Sequence, residues 1–177
     1  MPSEGNGKMP CRTVAFVGRS GSGKTSLLIR VIPKLIKLNF RVGTLKHTHH
    51  VQSFDQPGKD SWTHRQAGAE QTVVLSDTEI GIFSVAPSDI NIEQIKQKWF
   101  SDYDLLILEG FKHLPGLKVE VFRVENSKTP LYKDPAYSVD ALVTDDEPPF
   151  PVPHFSFDET DRLVKWICSK LDIPMSV

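Results

Sequence analysis

The chain has 177 residues, a length that suits one domain at about 100–200 residues per domain. Lys and Arg number 21 against 22 Asp and Glu, so the formal net charge is −1. That balance lacks the basic excess of a general nucleic-acid or anionic-membrane binder, and neither partner is expected. Two cysteines, Cys11 and Cys168, lie almost a chain length apart. They form neither a zinc cluster nor a disulfide framework, which points to a reducing compartment. Residues 1–10 are polar, with no apolar run behind a basic start, and no stretch approaches eighteen apolar residues. A cytoplasmic protein without leader or membrane span is therefore expected.

Thr13–Val17 is an apolar run suited to a strand buried on both faces. A glycine-rich turn follows, and then Leu27, Leu28, Val31, Ile32, Leu35 and Ile36 recur as a helical stripe over about 24–38. Pro33 lies inside that stripe and should kink it. Arg41–Lys46 is the next strand. A short helix over about 60–67 is closed by Gly68, and strands at 71–75 and 80–85 flank a polar turn. Ile92, Ile95 and Trp99 mark an amphipathic helix. Asp104–Leu108 is a second fully buried strand, followed by Glu109-Gly110; Leu117–Val124 alternates as a strand. Residues 126–137 read as loop, 139–143 as a strand, 145–153 as a proline-rich connector, and 158–171 as a closing helix. Helices alternating with short apolar strands predict an α/β fold with a largely parallel sheet.

Gly18-Arg19-Ser20-Gly21-Ser22-Gly23-Lys24-Thr25 matches G-x-x-x-x-G-K-S/T without a mismatch. A chance match in a chain this long arises about once in a hundred sequences or fewer. Its setting, between a buried strand and an amphipathic helix, is that of a P-loop NTPase fold. The glycines let successive backbone N–H groups turn inward around phosphates, Lys24 reaches the β- and γ-phosphates, and Thr25 offers a hydroxyl to Mg²⁺. Residues 18–26, ending at Ser26, are the candidate nucleotide contacts, in a domain taken as 11–177 behind a flexible segment 1–10. The magnesium also needs a carboxylate at a neighbouring strand end. Glu109 fits, with Lys24 and Glu109 as the candidate catalytic pair and Thr25 and Glu109 as metal ligands. Asp104, at the opposite end of its strand, reads as a cap or a surface residue.

Two Lys-His pairs follow strands: Lys46-His47 and Lys112-His113. In an open α/β sheet both should face the ligand crevice and suit a second anion. The first pair extends to His49 and His50, so anion contact, metal binding and an ordinary polar loop all remain open there. At Pro57-Gly-Lys-Asp-Ser61, helix capping by Asp60 or Ser61 competes with a nucleotide-sensing loop over 46–62.

These motifs resemble the molybdopterin-guanine dinucleotide biosynthesis protein B family. The resemblance rests on the phosphate loop, Val42-Gly-Thr-Leu-Lys-His-Thr-His-His50, Pro57–Ser61, Ala67-Gly-Ala69 and Leu108-Glu-Gly-Phe-Lys-His113, over about residues 13–123. It implies a homodimeric accessory protein that binds GTP and Mg²⁺, hydrolyses GTP weakly, and helps a guanylyltransferase attach GMP to molybdopterin. By position, residues 18–25 would hold phosphates and Glu109 would lie beside magnesium. Molybdopterin carries a phosphate, a fitting ligand for Lys46, His47, Lys112 and His113. The N/T-K-x-D signature of regulatory GTPases is absent, and Asp145 in Val143-Thr-Asp145 is a candidate base contact. The competing functions are a P-loop small-molecule kinase, disfavoured by the shortage of lid arginines beyond Arg65, and a metal-inserting NTPase using His47, His49 and His50. Arg19 is a weak candidate for an arginine acting on the γ-phosphate.

Overall fold

The computed structural model describes residues 11–48, 53–87, 91–125, 129–146 and 150–174. They fall into two compact units, residues 1–47 with 96–177 and residues 48–95.

The larger unit is a six-stranded sheet in the order β2-β5-β1-β6-β7-β8, every neighbouring pair parallel. Its strands are β1 (Arg12–Val17), β2 (Val42–Lys46), β5 (Leu105–Glu109), β6 (Leu117–Val121), β7 (Ala141–Val143) and β8 (His154–Phe155). Because side chains alternate along a strand, Val14, Phe16, Leu105, Ile107, Val119, Val121, Ala141 and Val143 share one face. There they meet Leu27, Val31 and Leu35 of α1 (Lys24–Lys37) and Leu163, Val164 and Ile167 of α4 (Thr160–Lys170) in one core. The opposite face is buried too, through Ala15, Val17, Leu106, Leu108 and Leu142. This double burial explains why the central strands read as continuous apolar runs. Of the two readings of Asp104 the structure selects the cap, its carboxylate accepting from the Arg41 backbone N–H at 2.7 Å.

Helix α1 runs through Pro33 as the stripe implied, and Pro33 is exposed, so the lost donor falls on the solvent side. Two features differ from the sequence reading. Strand β6 is buried on both faces: Lys118 and Glu120 are 3% and 1% exposed despite the alternating pattern. Glu120 earns its place by accepting the backbone N–H groups of Leu131 at 2.6 Å and Tyr132 at 3.0 Å, which tethers the 3-10 turn Leu131–Lys133. Burial pushes its carboxyl above the ordinary value, against those two N–H groups and the Arg19 charge. Strand β8, only two residues long, lay hidden behind the prolines of the connector.

The smaller unit contains α2 (Asp60–Gln66) and the antiparallel hairpin of β3 (Gln71–Leu75) and β4 (Ile80–Ser84). Helix α3 (Ile92–Trp99) crosses the division between units in sequence. The capping expected of Asp60 or Ser61 does not occur: Lys59 is the N-cap, without a side-chain bond. Instead the Ser61 hydroxyl donates to Asp55 at 2.9 Å, and Asp55, 5% exposed, lies 3.7 Å from Arg65. On one face of the hairpin, Val73, Leu75, Ile80 and Ile82 are 53%, 73%, 65% and 46% exposed. Their registers, Val73 opposite Ile82 and Leu75 opposite Ile80, make that face one apolar patch.

Candidate functional site

Residues 18–23 leave β1 and return into α1 as a tight loop. Gly18, Gly21 and Gly23 have φ of +142°, +77° and +93°, a region where side chains are strained. At Gly18 space is decisive as well, because a Cβ would lie 2.3 Å from the Val121 carbonyl oxygen. No side chain caps α1 and its first turn holds no acid. The N-terminal amides and the positive end of a fourteen-residue helix therefore point into the loop. Lys24 Nζ donates to the carbonyl oxygens of Gly18 at 3.0 Å and Arg19 at 2.8 Å. Burial lowers its pKa; the nearby Glu109 charge opposes that shift and Lys46 adds to it. Ser22 Oγ is buried with no hydrogen-bond partner, whereas Arg19, Ser20, Gly21, Thr25 and Ser26 are exposed.

Strand register brings the carboxylate to this loop. Leu105, Ile107 and Glu109 point to the α1 face, and Lys46 stands opposite Glu109 on β2. Accordingly Glu109 Oε1 accepts from the Thr25 hydroxyl at 3.1 Å and pairs with Lys46 Nζ at 3.1 Å. The chain then turns sharply through two left-handed residues, Gly110 (φ +100°) and Phe111 (φ +50°). The Phe111 ring packs at a tilt against His47 with centroids 5.3 Å apart, and the His47 backbone N–H donates to the Glu109 carbonyl at 3.1 Å. Lys112 and His113 come together on Tyr137, whose ring lies 5.3 Å from the Lys112 ammonium and 5.3 Å from the His113 ring. Thus the first Lys-His pair divides between Glu109 and Phe111, and the second gathers on one aromatic ring.

The hydroxyl of Thr25 and the carboxylate of Glu109 are hard oxygen donors, the set Mg²⁺ takes. The uncapped helix start, the unpaired Ser22 hydroxyl and the half-buried Lys24 ammonium fit phosphate oxygens. His49 and His50 lie outside the described residues. Among the described residues, no group of three or more His, Cys, Asp or Glu could hold a metal.

Sequence reading passed over Arg123 and Phe157, which the fold places against the phosphate loop. A Cβ at Gly23 would lie 3.2 Å from the Phe157 ring and 3.7 Å from Arg123 Nε. Arg123 also lies 3.8 Å from Asp145. Arg123 follows the buried strand β6, the kind of position that singled out Glu109, and that was the available signal; Phe157 follows β8, which the sequence reading did not find.

The family model for molybdopterin guanine dinucleotide synthesis protein B matches residues 13–145. Among curated proteins, the chain is 39% identical over 120 residues to the molybdopterin-guanine dinucleotide biosynthesis adapter protein of Escherichia coli (strain K12), covering 66% of this chain and 69% of that one. It is 37% identical over 116 residues to the Haemophilus influenzae protein of the same name, covering 65% of each. The matched stretch thus spans about two thirds of these relatives' length. Among solved structures, a molybdopterin-guanine biosynthesis protein B superposes with a TM-score of 0.72 at 27% identity, over 90% of this chain and 99% of that one. Bacillus subtilis MobB gives 0.70 at 26% identity, over 92% and 98%. A phosphate loop, the strand-end carboxylate beside it and a match reaching through β7 converge on one conclusion: the chain belongs to the molybdopterin guanine dinucleotide synthesis protein B family.

Proposed function

We propose that this chain is a GTP-dependent adapter in the synthesis of molybdopterin guanine dinucleotide. The observation that carries the reading is the contact of Thr25 with Glu109 beside Lys24, at the mouth of an uncapped helix. Residues 18–26 hold the triphosphate, and Thr25 with Glu109 holds the Mg²⁺. Bound magnesium neutralises charge on the β- and γ-phosphates. The chain's own part is to position them: Lys24 exchanges its two loop carbonyls for phosphate oxygens, and Lys46, 3.1 Å from its carboxylate, holds Glu109 in orientation. Hydrolysis is slow, because Lys24 and the loop amides carry the charge stabilisation and, among the described residues, Arg19 is the one loop arginine and lies exposed.

Lys112 and His113 beside Tyr137, with Lys46 and His47 beside Phe111, take the molybdopterin. Each pair couples cationic groups to an aromatic ring, which suits a planar heterocycle bearing a phosphate. The partner is the guanylyltransferase that attaches GMP, in the cytoplasm. The protein works as a homodimer, with the bare apolar face of Val73, Leu75, Ile80 and Ile82 covered by a second copy. The family match favours this role over a small-molecule kinase or a metal-inserting NTPase.

Calorimetry with GTP and Mg²⁺ tests the core of the proposal. Lys24→Ala should abolish measurable binding, and unchanged affinity would refute the phosphate-loop assignment. Lys112→Ala should weaken molybdopterin binding and leave GTP affinity intact; the reverse pattern would remove the second-anion role.

A further inference from the structure

The phosphate site has a direction. Thr25 and Glu109 lie toward β5 and β2, on one side of β1 in the order β2-β5-β1-β6-β7-β8. A triphosphate whose γ-phosphate meets the metal there leaves the loop on the other side, over β6, β7 and β8. Three residues converge on that side, each two positions past the end of its strand: Arg123 after β6, Asp145 after β7 and Phe157 after β8. The Arg123 guanidinium lies 4.0 Å over the Phe157 ring. The Phe157 N–H donates to Asp145 Oδ1 at 3.1 Å, and Arg123 Nη2 stands 3.8 Å from Asp145 Oδ2. The group touches the start of α1 through Gly23.

Two details show that this group is unfinished as a structural ion pair. Arg123 Nε is buried without a hydrogen-bond partner, and the 3.8 Å approach to Asp145 is too long for a hydrogen bond. Meanwhile 40% of the Arg123 side chain and 56% of the Asp145 side chain remain exposed. A flat cation backed by an aromatic ring is a platform for a planar base. A carboxylate with spare acceptor sites suits a base edge carrying two adjacent donors. Guanine has such an edge, N1–H beside the 2-amino group, whereas adenine presents an unprotonated N1, which a carboxylate repels.

We propose that Arg123, Phe157 and Asp145 form the nucleobase seat, with the base stacked on Arg123 and Asp145 reading the N1–H and 2-amino edge of guanine. This rests on the nucleotide reading given above. Asp145 thereby supplies the guanine selectivity that the missing N/T-K-x-D signature would otherwise provide.

The test titrates the full chain, with Mg²⁺, against GTP, ATP, XTP and inorganic tripolyphosphate. The wild type should prefer GTP to ATP by at least about tenfold, the effect of one good hydrogen bond to a charged group. Asp145→Asn keeps the acceptor for the Phe157 N–H, so the fold should persist and tripolyphosphate should bind as before. GTP affinity should fall about tenfold or more while XTP affinity rises, because xanthine carries a carbonyl where guanine has its 2-amino group and a carboxamide can donate to it. Arg123→Lys, which keeps the charge and loses the plane, should weaken GTP and ATP alike and leave tripolyphosphate unchanged. Unchanged GTP and XTP binding in Asp145→Asn, or unchanged GTP binding in Arg123→Lys, would overturn the seat and leave the phosphate loop intact. A wild type that binds neither GTP nor tripolyphosphate would overturn the nucleotide reading and the seat with it.

Discussion

Glu120 offers a sharp test of how the larger unit holds together. Its carboxylate, 1% exposed, accepts two N–H groups from residues 131 and 132. Glu120→Ala strands both donors. The Leu131 N–H is buried and should cost about 2 kcal/mol, while the partly buried Tyr132 N–H, which water can reach, should cost about 1 kcal/mol. At roughly 2–4 °C per kcal/mol for a chain of this size, the melting temperature should fall by about 6–12 °C. The pH dependence gives an independent check. Burial raises the folded-state pKa of Glu120 above its ordinary 4.5, so in the window just above that value the native state binds more protons than the unfolded chain. Stability contributed by Glu120 is therefore full below pH 4.5 and declines as pH rises toward the folded-state pKa. Glu120→Gln keeps one acceptor and cannot ionise; its melting temperature should lie between those of wild type and alanine variant. The stability difference between wild type and Glu120→Gln should shrink as pH rises through that window. Thermal denaturation by circular dichroism from pH 4 to 8 measures all three proteins. An alanine variant melting within about 2 °C of wild type would refute the tether, and a difference that widens with pH would refute the assigned pKa direction.

Gly18→Ala would drive a Cβ against the Val121 carbonyl oxygen, with no flexible side chain to give way. It should cost about 1–3 kcal/mol in chemical denaturation and eliminate GTP binding; retention of both would contradict the loop geometry. Thr25→Ala and Glu109→Gln should each weaken GTP binding about tenfold or more with Mg²⁺ present, and change it far less in EDTA. Equal losses with and without the metal would argue against their magnesium role. Ile82→Glu places a charge in the bare hairpin face and should shift the protein to monomers in analytical ultracentrifugation. A wild type that is already monomeric at tens of micromolar would remove the homodimer proposal.

How much of this could be read from residues alone depended on whether the decisive spacing was local. The phosphate loop is eight consecutive residues between a strand and a helix, so its spacing carries its geometry. Glu109 followed from a rule about strand ends, and the β2–β5 register that sets Lys46 beside it obeys the same alternation. Arg123, Asp145 and Phe157 are spread over 35 residues and meet only because β6, β7 and β8 lie side by side. That adjacency is a property of strand order, which no local pattern records. Glu120 escaped for a related reason: alternation normally signals a solvated face, and here a distant loop covers it and supplies the hydrogen bonds.

The sheet order also sets when the phosphate loop can come into being. Strand β1 is made first, yet its neighbours are β5 and β6, with Val14 beside Ile107 on one side and Leu117 on the other. Gly18 is wedged against Val121, more than a hundred residues downstream. During synthesis the loop's own eight residues therefore emerge long before anything can hold them, and closing that long span carries an entropic cost that local contacts cannot meet. The nucleotide loop is translated before the strands that wall it, β5 and β6, and is among the last parts of this sheet to be built. A nascent or truncated chain ending before β6 would carry the whole motif and still lack the wall that shapes it.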